Sequence, residues 1–490
     1  MSVFVRKVKT TSGARAVQIV HKDGRHVTKI DHIGSAHDDQ ELALLLDEAA
    51  RKMHDGQLSF ELAPDLLGAK IVSTASSYLW SQLELVWSQL GFDVIRDEVF
   101  KQVVLARIIE PVSKLDSVRV LGELGLKAPS DDAIYRSLQR CQKRNYREKF
   151  SKACFSSNAQ TNGMSLLLYD VTTLYFEIQK EDEFRKPGYS KERRLEPQII
   201  VGLLVDESGF PLMVHSFEGN KAETLTILPV IKAFAKLNGL SNPVIVADAA
   251  MLSAANLLEL EEQGFTFIVG SRINKTPHGV SEYKRDNPSD EIKDGQIFEE
   301  SIVMGKGESQ KQRRVIYQYR AKRAALDLSN IEKQISKANK VLENKLPVTR
   351  TRFVNLEGTT KTLNEDLIAD TKAKAGIKGY VTNIETAQAS QIIGHYHKLF
   401  EVERSFRMSK HDLKARPIFH HKRDSIEAHL TVVFGALAIS RHIQARTNLS
   451  IRRYLQMLRP LKGAVIRFGG KTIELPPEIP PNILSLEGGH

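Results

Sequence analysis

The feature that most constrains this chain is one charge inside an apolar run, Leu166-Leu167-Leu168-Tyr169-Asp170-Val171-Thr172-Thr173-Leu174-Tyr175-Phe176. Apolar and β-branched residues in unbroken succession read as a strand in the middle of a sheet. An ionised carboxylate there is costly unless a cation or a hydrogen-bond donor compensates it. A lone aspartate could meet that need with a backbone N–H. The pattern recurs, however, in Pro243-Val244-Ile245-Val246-Ala247-Asp248, a second apolar strand ending in aspartate. Two carboxylates at the tips of neighbouring strands are what a divalent-metal site requires. Asp170 and Asp248 are therefore the first candidate ligands.

The flanking periodicities set the fold. A polar loop (180–195) follows the Asp170 strand, then apolar runs at 198–205 and 212–217 separated by Glu207-Ser208-Gly209. Gly219-Asn220-Lys221-Ala222-Glu223-Thr224 leads into a helix to about residue 237, and the Asp248 strand, a helix (254–263) and a strand (265–270) come next. Three antiparallel strands, a helix and a strand-helix-strand unit predict an α/β fold, a ribonuclease H-like mixed sheet with flanking helices. Beyond it lie strand-like runs within 297–319 around a basic loop (306–314), a charged helix (320–346) and further strands at 352–362 and 379–383. A structureless loop of that length does not suit a compact domain. Residues 291–385 are expected to be an inserted β-rich and helical subdomain. The charged helix reads as a solvated face or as a DNA contact.

At 490 residues the chain exceeds one usual core. Residues 3–31 alternate as a three-stranded meander with turns at Ser12-Gly13 and Asp23-Gly24, followed by a helix capped by Asp38 or Asp39. The meander's lysines and arginines fit a phosphate-contacting face and a solvated, aggregation-resistant edge equally well. Residues 69–154 read as helices. Within them a pair at 113–124 and 130–141, carrying Arg136 and Arg140, fits a DNA-reading helix-turn-helix or a plain bundle. The expected division is 1–60 (meander and helix), 61–160 (helical), 161–290 with 386–446 (catalytic core), 291–385 (insertion) and 447–490 (a C-terminal tail, loosely ordered over 476–481).

Composition narrows the partner. Lys plus Arg number 70 against 59 Asp plus Glu, a formal charge of +11 that suits a polyanion. Only Cys141 and Cys154 occur, too few for a disulfide framework. No leader pattern opens the chain, and its most apolar stretch, 430–439, is half the length of a membrane span. A cytoplasmic protein without membrane contact or small-molecule cofactor is expected. Gly469-Gly470-Lys471-Thr472 lacks a phosphate-loop glycine five positions before Gly470, where Val465 stands. His420 and His421 lack metal-ligand spacing, and His429, in a helix apolar all round (424–444), reads as a core histidine.

A third carboxylate comes from residues 391–414, read as one helix. At about 100° per residue, Tyr396, Leu399, Phe400, Glu403, Phe406, Arg407 and Lys410 share a face, and Glu401 falls roughly opposite Tyr396. Glu403 is then expected on the core-facing seam and Glu401 on the solvent side. Three inward carboxylates from one α/β unit favour a shared metal site over separate ion pairs.

Tyr396, Glu403 seven residues on and Lys410 seven further resemble the Tyr-x2-Arg-x3-Glu-x6-Lys signature of bacterial insertion-sequence transposases of the DDE type. Phe406-Arg407, Leu413-Lys414-Ala415-Arg416-Pro417, Gly219-Asn220 with Glu223-Thr224, and both Asp strands also match, so the likeness runs over about 3–445. Leu399 stands where the signature has Arg, which leaves that phosphate contact missing or supplied by Lys398. Ala250 replaces a glycine common in relatives. The resemblance implies two Mg²⁺ ions (Mn²⁺ as a substitute) on Asp170, Asp248 and Glu403, with Tyr396, Arg407 and Lys410 holding the DNA backbone. It also implies cleavage at an element's terminal inverted repeats, transfer of the freed 3′-hydroxyl into target DNA, and a homodimer on double-stranded DNA. The alternatives are a metal-dependent endonuclease of the same fold without strand transfer, and a DNA-binding repressor with a decayed site.

Overall fold

The computed structural model describes residues 2–10, 14–24, 26–36, 39–53, 70–162, 166–177, 181–188, 196–240, 242–251, 253–288, 291–305, 307, 310–347, 351–357, 360–468 and 471–487. Ser12-Gly13, Asp38, Gly469-Gly470 and parts of the loops at 180–195 and 306–314 lie outside them. Two units result: Met1–Val72 with Val465–Ile473, and Ser73–Ala464 with Glu474–His490.

In the first unit, β1 (Ser2–Lys9), β2 (Arg15–Asp23) and β3 (His26–Ala36) form an antiparallel meander with β2 central. Gly24 supplies the φ of +57° that the β2–β3 turn requires. Val17 and Ile19 of β2 bury against Leu42 and Ala49 of the helix Asp39–Met53. Lys29 pairs with Asp31 at 2.9 Å on the exposed side. β4 (Lys70–Ala75) belongs to a separate three-stranded sheet.

The second unit is built on a helix, Arg423–Thr447, that is apolar around nearly its whole circumference and so must be covered on all sides. The helices Ser77–Gln89, Glu98–Ile109, Asp131–Lys143 and Tyr146–Asn162 cover one side, and the sheet covers another. One continuous core results, joining Phe92, Phe100 and Phe150 to Phe434 and to the strand residues Leu168 and Val205. The helix pair is Ser117–Glu123 and Asp131–Lys143. The second sinks Ile134, Leu138 and Cys141 into this core, and Arg140 is committed to Asp97 at 2.8 Å. Both cysteines are buried free thiols.

The sheet contains β5 (Leu166–Tyr175), β6 (Gln198–Val205), β7 (Pro211–Glu218), β8 (Val244–Ala247), β9 (Thr266–Ser271), β10 (Ile297–Met304) and β11 (Lys311–Tyr319). After the hairpin β12 (Val354–Glu357) and β13 (Thr360–Leu363), β14 (Ile377–Thr382) completes it. The order is β10-β11-β14-β9-β8-β5-β6-β7, parallel at β5/β8 and β8/β9 and antiparallel elsewhere. β7-β6-β5-β8-β9 is the ribonuclease H-like arrangement read from the sequence. Three strands of the inserted segment extend it. Only the helices Ala321–Leu342 and Glu365–Ala373, with the β12–β13 hairpin, have a small core of their own around Ile331, Ala338, Phe353 and Ile368. The tail forms the helix Ile451–Leu458, β15 (Gly463–Phe468), β16 (Lys471–Leu475) and the helix Pro481–Glu487, with residues 476–480 between the last two in no regular element. β16, β15 and β4 make one sheet. Among the described residues no helix is long and apolar enough to cross a membrane.

Candidate active site

Register places the two aspartates. In the parallel pair β5/β8, Tyr169 lies opposite Ala247, so Asp170 and Asp248 are the next residues on adjacent strands, which run about 4.8 Å apart. β8 stops there, and its chain turns away with Ala249 N donating to Asp248 Oδ1 at 2.7 Å. Val171 N donates to Asp170 Oδ1 at 2.8 Å.

Tyr396, at the end of the helix Ala389–His397, is buried and donates its hydroxyl to Asp248 Oδ1 at 3.0 Å. Gly270 on β9 makes the approach possible: a Cβ there would lie 2.8 Å from Tyr396 Oη. Burial, then Asp248, holds the Tyr396 phenol well above its usual range, with Asp170 also acting on it. The phenol therefore stays a donor. Tyr380 of β14 packs edge-on against the Tyr396 ring, with centroids 4.9 Å apart.

Lys378, also on β14, carries its ammonium 4.5 Å from the Tyr396 ring centroid. Burial and Arg323 lower its pKa, while Asp248 and Glu403 draw it back up. It thus feels two of the three candidate carboxylates at once. Sequence reasoning missed it, although a lysine in the apolar strand Ile377-Lys378-Gly379-Tyr380-Val381-Thr382 was a visible signal. Lys398, considered as a substitute for the absent signature arginine, instead pairs with Glu207 at 2.5 Å. Leu399 packs at the edge of the core.

The glutamates are oriented opposite to the expectation. Glu401 is the sheltered one, its side chain 13% exposed and paired with Arg441 at 2.9 Å and Arg404 at 2.8 Å. Glu403 is exposed, as are Arg407 and Phe400, the last at 51%. Uniform helical phase fails because 391–414 is not one helix. The helix Ala389–His397 ends, a new one runs over Phe400–Arg407, and Met408–Asp412 is wound as a π-helix. Tyr396 and Phe406 keep their inward positions. Glu403 faces open solvent on the side whose field reaches Lys378.

Lys410 borders a cleft with Val171, Thr172, Thr173, Asn220 and Glu223, next along β5 from Asp170. The motif at 219–224 is thereby brought to the same strand. Gly219 has no room for a side chain, since a Cβ would meet Gln198 O at 2.0 Å. Among the described residues no three His, Cys, Asp or Glu side chains converge as a ready-made metal cage. The donor chemistry nonetheless fits a hard cation: carboxylate oxygens only, two of them in register and the third on an open face. Mg²⁺ keeps several waters and accepts substrate oxygens, so it does not demand a closed cage.

A family model described as "Transposase DDE domain" matches residues 161–439. No curated protein matches the chain. Among solved structures, the chain is similar to piggyBac transposase in a synaptic complex with hairpin DNA, determined by cryo-EM. Identity is 12%, coverage is 78% of this chain and 70% of that one, and the TM-score is 0.36.

Proposed function

This chain belongs to the transposase DDE domain family, and we propose that it binds the terminal inverted repeats of an insertion sequence, cuts at the element's ends and joins the freed strand to target DNA. It would do so in the cytoplasm, at the nucleoid, as a homodimer on double-stranded DNA. The observation that carries this reading is the register of β5 and β8, which sets Asp170 and Asp248 side by side with the Tyr396 hydroxyl fixed on the latter.

Asp170, Asp248 and Glu403 would hold Mg²⁺ or Mn²⁺, which supplies Lewis-acid activation of the attacking water and then of the 3′-hydroxyl. The remaining work falls to the protein's own side chains. Tyr396 holds one oxygen of Asp248 and so orients the other. Lys378 on one side of the aspartates and Lys410 on the other are placed to neutralise phosphates flanking the scissile bond, with the exposed Arg407 contacting the backbone. Cleavage breaks the bond between phosphorus and the 3′-oxygen of the element, leaving a 3′-hydroxyl and a 5′-phosphate. In joining, that 3′-hydroxyl attacks the phosphorus of a target phosphodiester, forming a new P–O bond as the target strand's own P–O3′ bond breaks and its 3′-oxygen leaves as a hydroxyl.

The test is an assay of the purified chain with Mg²⁺ and duplexes carrying the element's ends, alongside Asp170→Asn and Asp248→Asn. Joined products that vanish with either substitution, in proteins that still melt cooperatively, are expected. Cleavage without joining would favour the endonuclease, and near-normal cleavage by either variant would remove that residue from the site.

A further inference from the structure

Away from the carboxylates, four nitrogen-bearing side chains meet where the N-terminal helices close on the helix Arg423–Thr447. Arg107 comes from the last turn of Glu98–Ile109, Lys114 from the loop after it, His420 from the segment before Arg423–Thr447, and His429 from within that helix. Arg107 and His429 are buried, at 9% and 3% exposure, while Lys114 and His420 are half-buried.

Among the described residues their partners are all neutral. Arg107 Nη1 donates to Val112 O at 2.9 Å, and Nη2 lies 3.2 Å from His429 Nδ1. Lys114 Nζ lies 3.4 Å from the same Nδ1 and touches His420 Nε2. His429 Nε2 donates to Ala415 O at 3.0 Å, which leaves Nδ1 as the acceptor for both cations. Of the nearest acids along the chain, Glu110 and Asp116 are engaged by Arg119 and Glu427 by Arg147, while Asp424 is exposed.

Two cations removed from water and met only by imidazole and carbonyl lone pairs are under-compensated, which is the condition an anion relieves. The titrations agree. Burial and then Arg107 push Lys114 down to about 7, burial pushes Arg107 down to about 10, and burial with both cations pushes His420 down to about 3. An arginine fork beside a lysine point charge matches the spread oxygens of a phosphate. The neighbouring chain is mainly basic too: Lys414, His421, Lys422 and Arg423 are exposed, with one exposed acid, Asp424, beside them.

We propose that Arg107, Lys114, His420 and His429 form a binding site for a phosphate oxyanion, filled by a phosphodiester of the DNA backbone. The site lies well away from the cutting centre. The strand leading to it meets β5 where Ile418 N donates to Tyr175 O at 3.1 Å, five residues beyond Asp170 and so about 17 Å further along. It would grip the duplex at a second place and fix the angle at which the ends enter. The choice of DNA as occupant rests on the function proposed above; the phosphate site itself does not.

The experiment uses the full chain, with thermal melts in phosphate against chloride at equal ionic strength and DNA affinity measured against salt. It compares the parent with Lys114→Met, Lys114→Arg and Lys114→Gln. Phosphate stabilises proteins generally, so the readout is the parent's extra rise over the variant. A rise of several degrees lost in Lys114→Met and kept in Lys114→Arg is expected, together with a salt slope shallower by roughly 0.9 in Lys114→Met. A lost rise with an unchanged slope assigns the site to free phosphate and overturns the DNA occupant. A parent that binds no DNA yet keeps the rise does the same, and counts against the proposed function as well. A parent no more responsive to phosphate than Lys114→Met overturns the site. If Lys114→Met does not fold, Lys114→Gln, which removes the same charge and keeps a polar end, takes its place in each comparison.

Discussion

The hydroxyl of Tyr396 and the carboxylate of Asp248 are joined across 148 residues of sequence by a 3.0 Å hydrogen bond whose space is provided by a glycine on the next strand. Asp248 otherwise stands at the free end of a four-residue strand. Together with Ala249 N, which donates to the same Oδ1 at 2.7 Å, this bond fixes that oxygen and so sets where the second one points.

Gly270→Ala should displace Tyr396, since the new methyl would sit 2.8 Å from its oxygen. Tyr396→Phe removes the same bond from the other end. A hydrogen bond to a charged group contributes about 1.5–3 kcal/mol, so each variant should lose about tenfold or more in cleavage rate. The double variant should be scarcely worse than either single one. Additive losses would mean that the glycine serves something other than the tyrosine.

Glu401 and Glu403 separate stability from chemistry. Glu401→Gln leaves Arg441, itself buried, without its carboxylate, and should cost about 2 kcal/mol of stability. Cleavage by the folded fraction should persist. Glu403→Gln should melt like the parent and fail to cleave while still binding DNA. The reverse pattern in melts and cleavage assays would reassign the third carboxylate to Glu401.

Lys378→Met should make the log–log salt dependence of DNA binding shallower by roughly 0.9 and slow cleavage, with Lys378→Arg retaining most of both. Lys398→Met breaks only the pair with Glu207 and should leave cleavage near the parent's rate. Equal losses in the two methionine variants would remove the distinction between them.

Lys114 predicts a pH effect. Its folded pKa, about 7, lies below the 10.5 of a lysine in water, so the unfolded chain binds more protons across that window. Stability therefore rises with pH from about 7 to 10.5, by at most about 1.4 kcal/mol per unit. The contribution is present above that window and is lost as pH falls through it. Denaturant melts of parent and Lys114→Met should differ by this slope, and parallel curves would show that the ammonium is not sheltered.

The adjacent placing of the aspartates was legible because a charge in an apolar strand is costly and the pattern recurs on a second strand, although each also accepts from the next backbone N–H, and the sheet order followed because the strand lengths and turns leave few ways to pair. The phase of the glutamates was not. Nothing at Lys398-Leu399 marks a break as Gly or Pro would, and the π-wound turn at Met408–Asp412 shifts every later residue. Lys378 and the Arg107–His429 contact, 322 residues apart, depend on tertiary closure, to which periodicity is blind. The inserted segment was recognised as an interruption, yet only the structure shows its strands continuing the sheet.

The helix Arg423–Thr447 fills the middle of a core walled on one side by residues 77–162 and on another by the sheet. During synthesis those earlier helices leave the ribosome with Phe92, Phe100 and Phe150 unable to bury against a partner not yet made. At about 5–20 residues per second, the gap from residue 162 to residue 447 lasts roughly 15–60 s. The nascent chain is then exposed to chaperones and proteases, and a transcript cut short anywhere in that interval yields a product that cannot close its core.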